Sequence, residues 1–396
     1  MANTLLTPTA VTRRALAILH QKLNFVGKVN RQYDDSFAVS GAKIGDSLRI
    51  RLPNKYTVTT GATLTTQDTT ETSVTLTVAT QKHVGMTFTS EELTLDIDDF
   101  ASRIIEPAMS VLAADVEADA LTMSQDVYNT VIDEAAVISA RRALQMNRKI
   151  TDDLSPYSNR CLNLNTGDNV ELVDDLKGLF NPNANISKQY REGMVANQFV
   201  GFAEVYENTL HPRQTAGAGT GYLVNGAAQT GSSLIVDTGA GNLVKGQVFT
   251  IAGVNRVHPE TKVDTGVLQQ FVVTADFAGG AGTISISPAI TTSTGYQTVT
   301  ASPADNAAIT FLQTASTDID TSLGFHRDAF TFATADLVLP EGVDFAAREV
   351  YDGVSLRVVR QFDISDDSFP CRVDILYGYK TMRPEQACKG HFLAST

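Results

Sequence analysis

The sequence predicts an α+β fold: a mixed body of helices and strands, entered through an N-terminal arm and a long β-hairpin, and interrupted by an all-β module. Three observations predict it. Within residues 41–90, SLRIRLP (47–53) and SVTLTVAT (73–80) alternate apolar and polar residues on either side of a Thr-rich stretch. Residues 91–130 hold the longest helical pattern in the chain. Residues 214–317 break into short strand-like runs separated by Gly, Ser, Asn and Pro, and mixed sequence returns at 318–396.

Residues 1–40 form the arm. Leu16, Leu19 and Leu23 recur at steps of three and four, with Ile18 beside them, so a short amphipathic helix is expected, capped by Thr9 or Thr12. Arg13 and Arg14 fall in its first turn, the unfavourable end of the helix dipole, which directs them to a partner's carboxylates or to solvent. VNRQYDDSFA then reads as extended. In the hairpin, Leu48, Ile50 and Leu52 share one face, and Arg49 and Arg51 share the other, a wet or partner-facing side. Val74, Leu76 and Val78 stand in register on the return strand, where Val-Thr alternation favours extended backbone. The inner face is too thin for a free-standing domain, so the hairpin must lie on another surface, of its own chain or of a neighbour.

In the spine segment at 91–130, Ser90 precedes Glu91 and Glu92, and Asp96, Asp98 and Asp99 can cap a second start. Phe100, Ile104, Met109, Val111, Leu112 and Val116 supply the apolar stripe, which ends near Leu121, and Pro107 is expected to kink the helix or mark a break. Some thirty residues of helix would reach about 45 Å. Residues 131–213 read as mixed α/β. VIDEAAVISARRALQMNRKI is expected as helix, with Ile132, Ala136, Ala140 and Leu144 at four-residue steps. NRCLNLNT is a strand, TGDNVELVDDLKGLF a capped helix closing near Gly178, and two short strands flank Gly201. Residues 214–317 supply VFTIAGV, LQQFVVTADF, TISISPAI and AAITFLQ as strands. Residues 318–396 add AFTFATADLVLP, VSLRVVRQFD and CRVDILYGYKTMRP, with a turn at Gly342. An all-β block bracketed by mixed sequence has the form of an inserted domain.

Composition narrows function. The 396 residues are 43% hydrophobic and 19% charged, enough for two or three cores and unlike a disulfide mini-protein, a coiled coil, a collagen or a disordered tail. A net charge of −13 is a poor basis for gripping nucleic acid over a broad face. Cys161, Cys371 and Cys388 show no CxxC spacing and read as reduced, buried thiols. No apolar run approaches the roughly 18 residues of a membrane span, and MANTLLTPTAVTRR lacks the order of a signal peptide, so a soluble protein without a membrane partner is expected. GAGTG at 217–221 lacks the strand–turn–helix setting of a phosphate loop and reads as a linker. The six histidines are scattered without metal spacing, and His326 reads as a hydrogen-bonded structural residue. Asp363, Asp366 and Asp367 read as a solvated turn. Nothing resembles a nucleophile elbow or a working carboxylate pair. The expectation is a protein that is not an enzyme and uses no cofactor or metal.

The order of elements resembles the major capsid protein of tailed bacteriophages with the Hong Kong 97 phage-type fold, in particular the coat-protein branch of short-tailed phages that carries an inserted β-barrel domain. SEELTLDIDDFASRIIEPAMSVLAADVEADAL is similar to the family's spine helix, KQYREGMVANQFVGFAEVYENTLHP (188–212) to the passage leading out of its α/β domain, and LGFHRDAFTFATADLVLP (323–340) to the re-entry after the insert. DILYGYKTMRPEQACKG (374–390) resembles its C-terminal strand, and VKGQVFTIAGV (244–254) its insert. The resemblance implies an arm (1–40), an extended loop (41–90), a spine helix of a peripheral domain (91–130), an axial domain (131–213), an inserted β domain (214–317) and a second axial and peripheral part (318–396). It implies self-assembly into pentamers and hexamers of an icosahedral shell enclosing double-stranded DNA without sequence-specific binding, in a virion assembled in the host bacterial cytoplasm. Scaffolding and portal proteins are implied partners, with a decoration protein as a further one. Candidate inter-subunit contacts are Arg13, Arg14, Arg49, Arg51, Lys55, Asp96, Asp98 and Asp99. Rival readings are an encapsulin-like cellular nanocompartment shell and a phage tail or adhesin protein built on the β-rich block.

Overall fold

A computed structural model of the chain describes residues 8–34, 47–64, 66–67, 71–89, 106–176, 197–293, 295–351, 353–366 and 368–393. The α+β class holds, and the chain divides into two compact units, each discontinuous in sequence.

The first unit is built on a six-stranded sheet. Its order is Asn30–Asp34, Phe330–Ala335, Ser368–Thr381, Val354–Arg360 and Phe345–Tyr351, with Thr80–Thr89 also paired to Ser368–Thr381. Asn30–Asp34 runs parallel to Phe330–Ala335, whereas Phe345–Tyr351 with Val354–Arg360, Val354–Arg360 with Ser368–Thr381, and Ser368–Thr381 with Thr80–Thr89 pair antiparallel. Helix Pro8–Lys22 packs on the strands Phe345–Tyr351 and Val354–Arg360 through the expected stripe, with Leu16, Ile18, Leu19 and Leu23 all buried. Thr12 is buried within the helix, and Arg13 and Arg14 fall in the second turn of its described range. Phe25 meets Phe330 edge-on at 5.6 Å between ring centres.

The described part of the spine segment is helix Glu106–Leu121, followed by a 3-10 turn, Thr122–Asp126. The expected end near Leu121 is observed, and Pro107 is the second residue of that range, so the kink or break expected there falls against residues outside the described ones. Residues 91–105, including Asp96, Asp98 and Asp99, lie outside the described residues. Polar groups fasten this helix. Glu117, 1% exposed, accepts the backbone N–H groups of Phe25 and Val26. Lys82 reaches Asp115 at 2.7 Å and Asp119 at 2.8 Å, and the Tyr377 hydroxyl donates to Asp119 at 2.6 Å. On the sheet, fully buried Asp374 accepts from Arg357 through both carboxylate oxygens, at 2.9 and 2.6 Å, and from Arg372 and Gln81.

The second unit contains two sheets. One is mixed, ordered Thr130–Asp133, Ala387–Phe392, Thr321–His326, Arg160–Leu164, Phe202–Glu207 and Asn197–Phe199. Helices Ala140–Asp152 and Thr166–Asp175 accompany it, and Ile138, Met146, Ile150, Leu162, Leu172 and Phe202 belong to one core. Two expectations are corrected here. Residues 130–133 form a strand, drawn into parallel pairing with 389–392, so the helix begins only at Ala140. Its buried face is Ala143, Met146 and Ile150, while Leu144 is 53% exposed. The strands flanking Gly201 are present as a tight hairpin, with Val200 at φ +55° and Gly201 at φ +85°. Gly178 lies outside the described residues.

The second sheet of this unit is wholly antiparallel: Leu223–Val224, Gly231–Asp237, Gly282–Ile290, Asp264–Val273, Val248–Val257 and Ile309–Phe311. Ile309 N donates to Tyr222 O at 3.1 Å and Val224 N to Ala307 O at 3.0 Å, which brings the last strand back to the first and nearly closes a barrel. Its interior is apolar, including Val236, Phe249, Ile251, Phe271 and Ile286, with Tyr222 edge-on to Phe277 and Phe311. No helix occurs among the described residues of 214–317. The chain enters and leaves this sheet through a two-stranded neck, Gln214–Thr215 against Asp318–Ile319.

Candidate assembly site

Strands Ser47–Arg51 and Ser73–Thr77 pair to form the stem of the hairpin. Lateral bonds keep its two sides together. Arg49 Nε donates to Ser73 Oγ at 2.7 Å, Arg51 pairs with Glu71 at 2.9 Å, and Leu52 N donates to Thr72 O at 2.9 Å. Nearer the tip, Gln67 Oε1 accepts from Thr57 N at 2.9 Å, and Gln67 Nε2 donates back to Thr57 O at 2.5 Å. Among the described residues of the tip, Val58 is 98% and Leu64 85% exposed.

The charged candidates divide. Arg49, Arg51 and Lys55 are all exposed on the hairpin. Arg13, 71% exposed, reaches Glu349 of its own chain at 3.4 Å, a pair open enough to water to contribute little. Arg14 is exposed on the same helix.

Elsewhere, titratable groups are spent on structure. Lys389, 1% exposed, donates to Gly246 O at 2.8 Å, and burial pulls it down to about 7 although Asp126 opposes the shift. Asp168 accepts from Ser322 Oγ and is pushed up to about 6 by burial. Asp153 is likewise held up at about 6 by burial, while Arg256 at 2.6 Å and Asn129 at 2.7 Å pull the other way. Burial holds His391 near 3 and His211 near 4, both neutral at pH 7. His326 Nδ1 accepts from Asp328 N at 3.2 Å, the structural role expected. The three thiols are free and buried, with Cys388 raised to about 12 by burial. The guanidinium of Arg160, fully buried, is held by the carbonyls of Pro156 and Ser155 and by Asn147 and Thr151. A cleft of about 750 Å³ holds Arg148, Lys149 and Arg256, each already bonded to Asp152, Gln270 or Asp153.

GAGTG is not a loose linker. A Cβ at Gly217 would lie 2.4 Å from Asn242 O and one at Gly219 2.2 Å from Leu243 Cδ2, so these glycines allow close packing on the barrel. Among the described residues no group of His, Cys, Asp and Glu could hold a metal ion, and no helix is long and apolar enough to cross a membrane.

The chain matches the family model described as P22 coat protein, gene protein 5, over residues 21–392. The chain belongs to the P22 coat protein family. It is the major capsid protein of a tailed phage, a structural component of the virion that works as one copy among many in a capsid shell. Solved structures similar to this coat protein include one from Mycobacterium phage Che8, at 12% identity over 90% of this chain and 88% of that one, TM-score 0.45. The mature capsid of bacteriophage PhiM1 is 12% identical over 93% of this chain and 86% of that one, TM-score 0.45. The CUS-3 coat protein I-domain is 32% identical over 24% of this chain and 95% of that one, TM-score 0.19. No curated protein matches the chain.

The polar fastenings at Glu117, Asp374 and Lys389 escape sequence reading. Each joins segments far apart in the chain, and no local pattern reports such a pairing.

Proposed function

We propose that this coat protein assembles into pentamers and hexamers of an icosahedral shell around double-stranded DNA, and that the hairpin at 41–90 and the arm at 1–40 are the parts that reach neighbouring copies. The observation that carries this is the hairpin tip: stapled across, extended, and with Val58 and Leu64 exposed. Arg49, Arg51 and Lys55 on the hairpin, Arg13 and Arg14 on the arm, and Asp96, Asp98 and Asp99 are the charged contacts of this reading. The cations of the arm and hairpin are opposite in sign to the acids of the spine segment, and such complementarity favours correct encounter between copies. One chain must make closed shells from the same patches in slightly different settings, and extended arms adapt to that better than flat faces. Assembly takes place in the host bacterial cytoplasm with scaffolding and portal proteins, and a decoration protein binds outside.

The experiment is deletion of residues 56–70. The variant is expected to keep its far-ultraviolet circular dichroism and to melt within a few degrees of the parent, yet to form no particles in negative stain, alone or with a scaffolding partner. Particles of normal size from the deleted chain, or loss of the folded signal, would overturn the reading.

A further inference from the structure

Gly295 is buried on the barrel, in the stretch that follows strand Gly282–Ile290, and its φ is not among the positive ones. Conformation therefore does not call for glycine there. Space does: a Cβ at this position would stand 2.3 Å from the carbonyl oxygen of Lys55, 2.7 Å from its carbon and 3.1 Å from the amide nitrogen of Tyr56. Real side chains do not tolerate the first of these distances, and the obstacle is backbone, which cannot swing aside. Two strips of main chain separated by some 240 residues in sequence thus touch directly, and only glycine lets them.

The contact sits at the edge of a groove of about 610 Å³ that is lined from the hairpin side by Asn54, Lys55, Tyr56 and Val58, and from the barrel side by Pro259 and Pro288 among others. The prolines stiffen the barrel wall. Lys262 on that wall donates to Pro259 O at 2.6 Å, and its pKa is lowered first by burial and then by the charge of Lys55. The hairpin is stapled on the stem side of the contact by Arg51–Glu71 and beyond it by Thr57–Gln67, so fixing its backbone at Lys55 fixes the direction of the tip.

We propose that Gly295 is a positioning residue for assembly: the inserted barrel uses it as a socket for the hairpin at Lys55–Tyr56 and thereby aims the tip at the neighbouring copy. This rests on the reading of the hairpin as an assembly element, and gives the inserted domain a task in assembly in addition to its own stability.

The test compares the full-length parent with Gly295→Ala and Gly295→Val. Limited trypsin digestion reads cleavage after Lys55, and negative stain reads the fraction of closed shells. Each variant is expected to melt within about 3 °C of the parent, to be cut after Lys55 at least tenfold faster, and to give fewer closed shells and more open or irregular ones, with Val worse than Ala. A parent already cut as fast as the variants, or closed shells at parental yield from Gly295→Val, would overturn the proposal. If the barrel of Gly295→Val fails to fold, Gly295→Ala decides alone. The two ideas separate cleanly. Normal shells from these variants alongside no shells from the 56–70 deletion defeat only the socket, whereas normal shells from the deletion defeat the assembly reading itself.

Discussion

Lys389 donates to the Gly246 carbonyl from a fully buried position, and this gives stability a pH dependence with a definite sign. In the unfolded chain the amine titrates near its ordinary value, whereas in the fold it titrates at about 7. Between those values the unfolded chain holds a proton that the fold does not, so stability must rise with pH from about 7 towards 10 and be lost as pH falls towards 7. Lys389→Met removes this dependence. Urea midpoints measured from pH 7 to pH 10 are expected to rise for the parent relative to the variant, and parallel curves would refute the assignment. Gly201 makes a second residue-scale case. It needs positive φ, and a Cβ would lie 2.3 Å from Asn147 Nδ2, the same side chain whose Oδ1 accepts from buried Arg160. Gly201→Ala is expected to cost about 1–3 kcal/mol in chemical denaturation; a change under about 0.5 kcal/mol would show that the turn relaxes without strain.

At the scale of elements, what could be read in the sequence was what depends on neighbours in the chain. The strand alternation at 47–53, the Leu16–Leu19–Leu23 stripe and the two strands around Gly201 are all local patterns, and all three appear. The segment at 130–133 could not be read so, because its strand conformation comes from pairing with 389–392, at the far end of the chain. The four-residue ladder through Leu144 failed for a related reason. Steps of four drift around a 3.6-residue helix, and the sheet selects Ala143, Met146 and Ile150 instead. In the candidate site, the exposed hairpin and its arginines were legible, but the contact of Gly295 with Lys55 was not, since a glycine in STGYQ looks like any turn. The barrel offers its own prediction. Phe249 stacks on Phe271 and tilts against Phe311, each with ring centres 5.8 Å apart. Phe249→Ala should cost about 3–5 kcal/mol. Because the barrel has its own core, the loss should appear first as faster hydrogen exchange in strands 248–257 and 264–273, with the mixed sheet at 160–164 still protected. Uniform loss of protection across both sheets would mean they unfold as one.

The whole molecule carries a net charge of −13, and a container for DNA must hold its contents without adhering to them. Contact with DNA is governed by patches, because at physiological salt charges more than about 8 Å apart are largely screened from one another. Several arginines are engaged within the fold: Arg357 and Arg372 with Asp374, Arg348 with Asp336, Arg256 with Asp153, and fully buried Arg160 with neutral acceptors. Each such pair removes a cation that could have released counterions from phosphate, which is the main source of sequence-independent affinity. The hairpin cations Arg49, Arg51 and Lys55 are exposed, but they lie on the element proposed to rest against a neighbouring copy. The purified coat protein is therefore expected not to retard linear double-stranded DNA in a native gel at about 0.15 M salt, where screening is strong. Whatever weak retardation appears at about 0.02 M, where screening is weak, should be reduced by Arg49→Gln, Arg51→Gln and Lys55→Gln together. Retardation at the higher salt that survives this triple substitution would show a DNA-gripping surface elsewhere on the chain, and the acid excess would then have to be explained by something other than release of the genome.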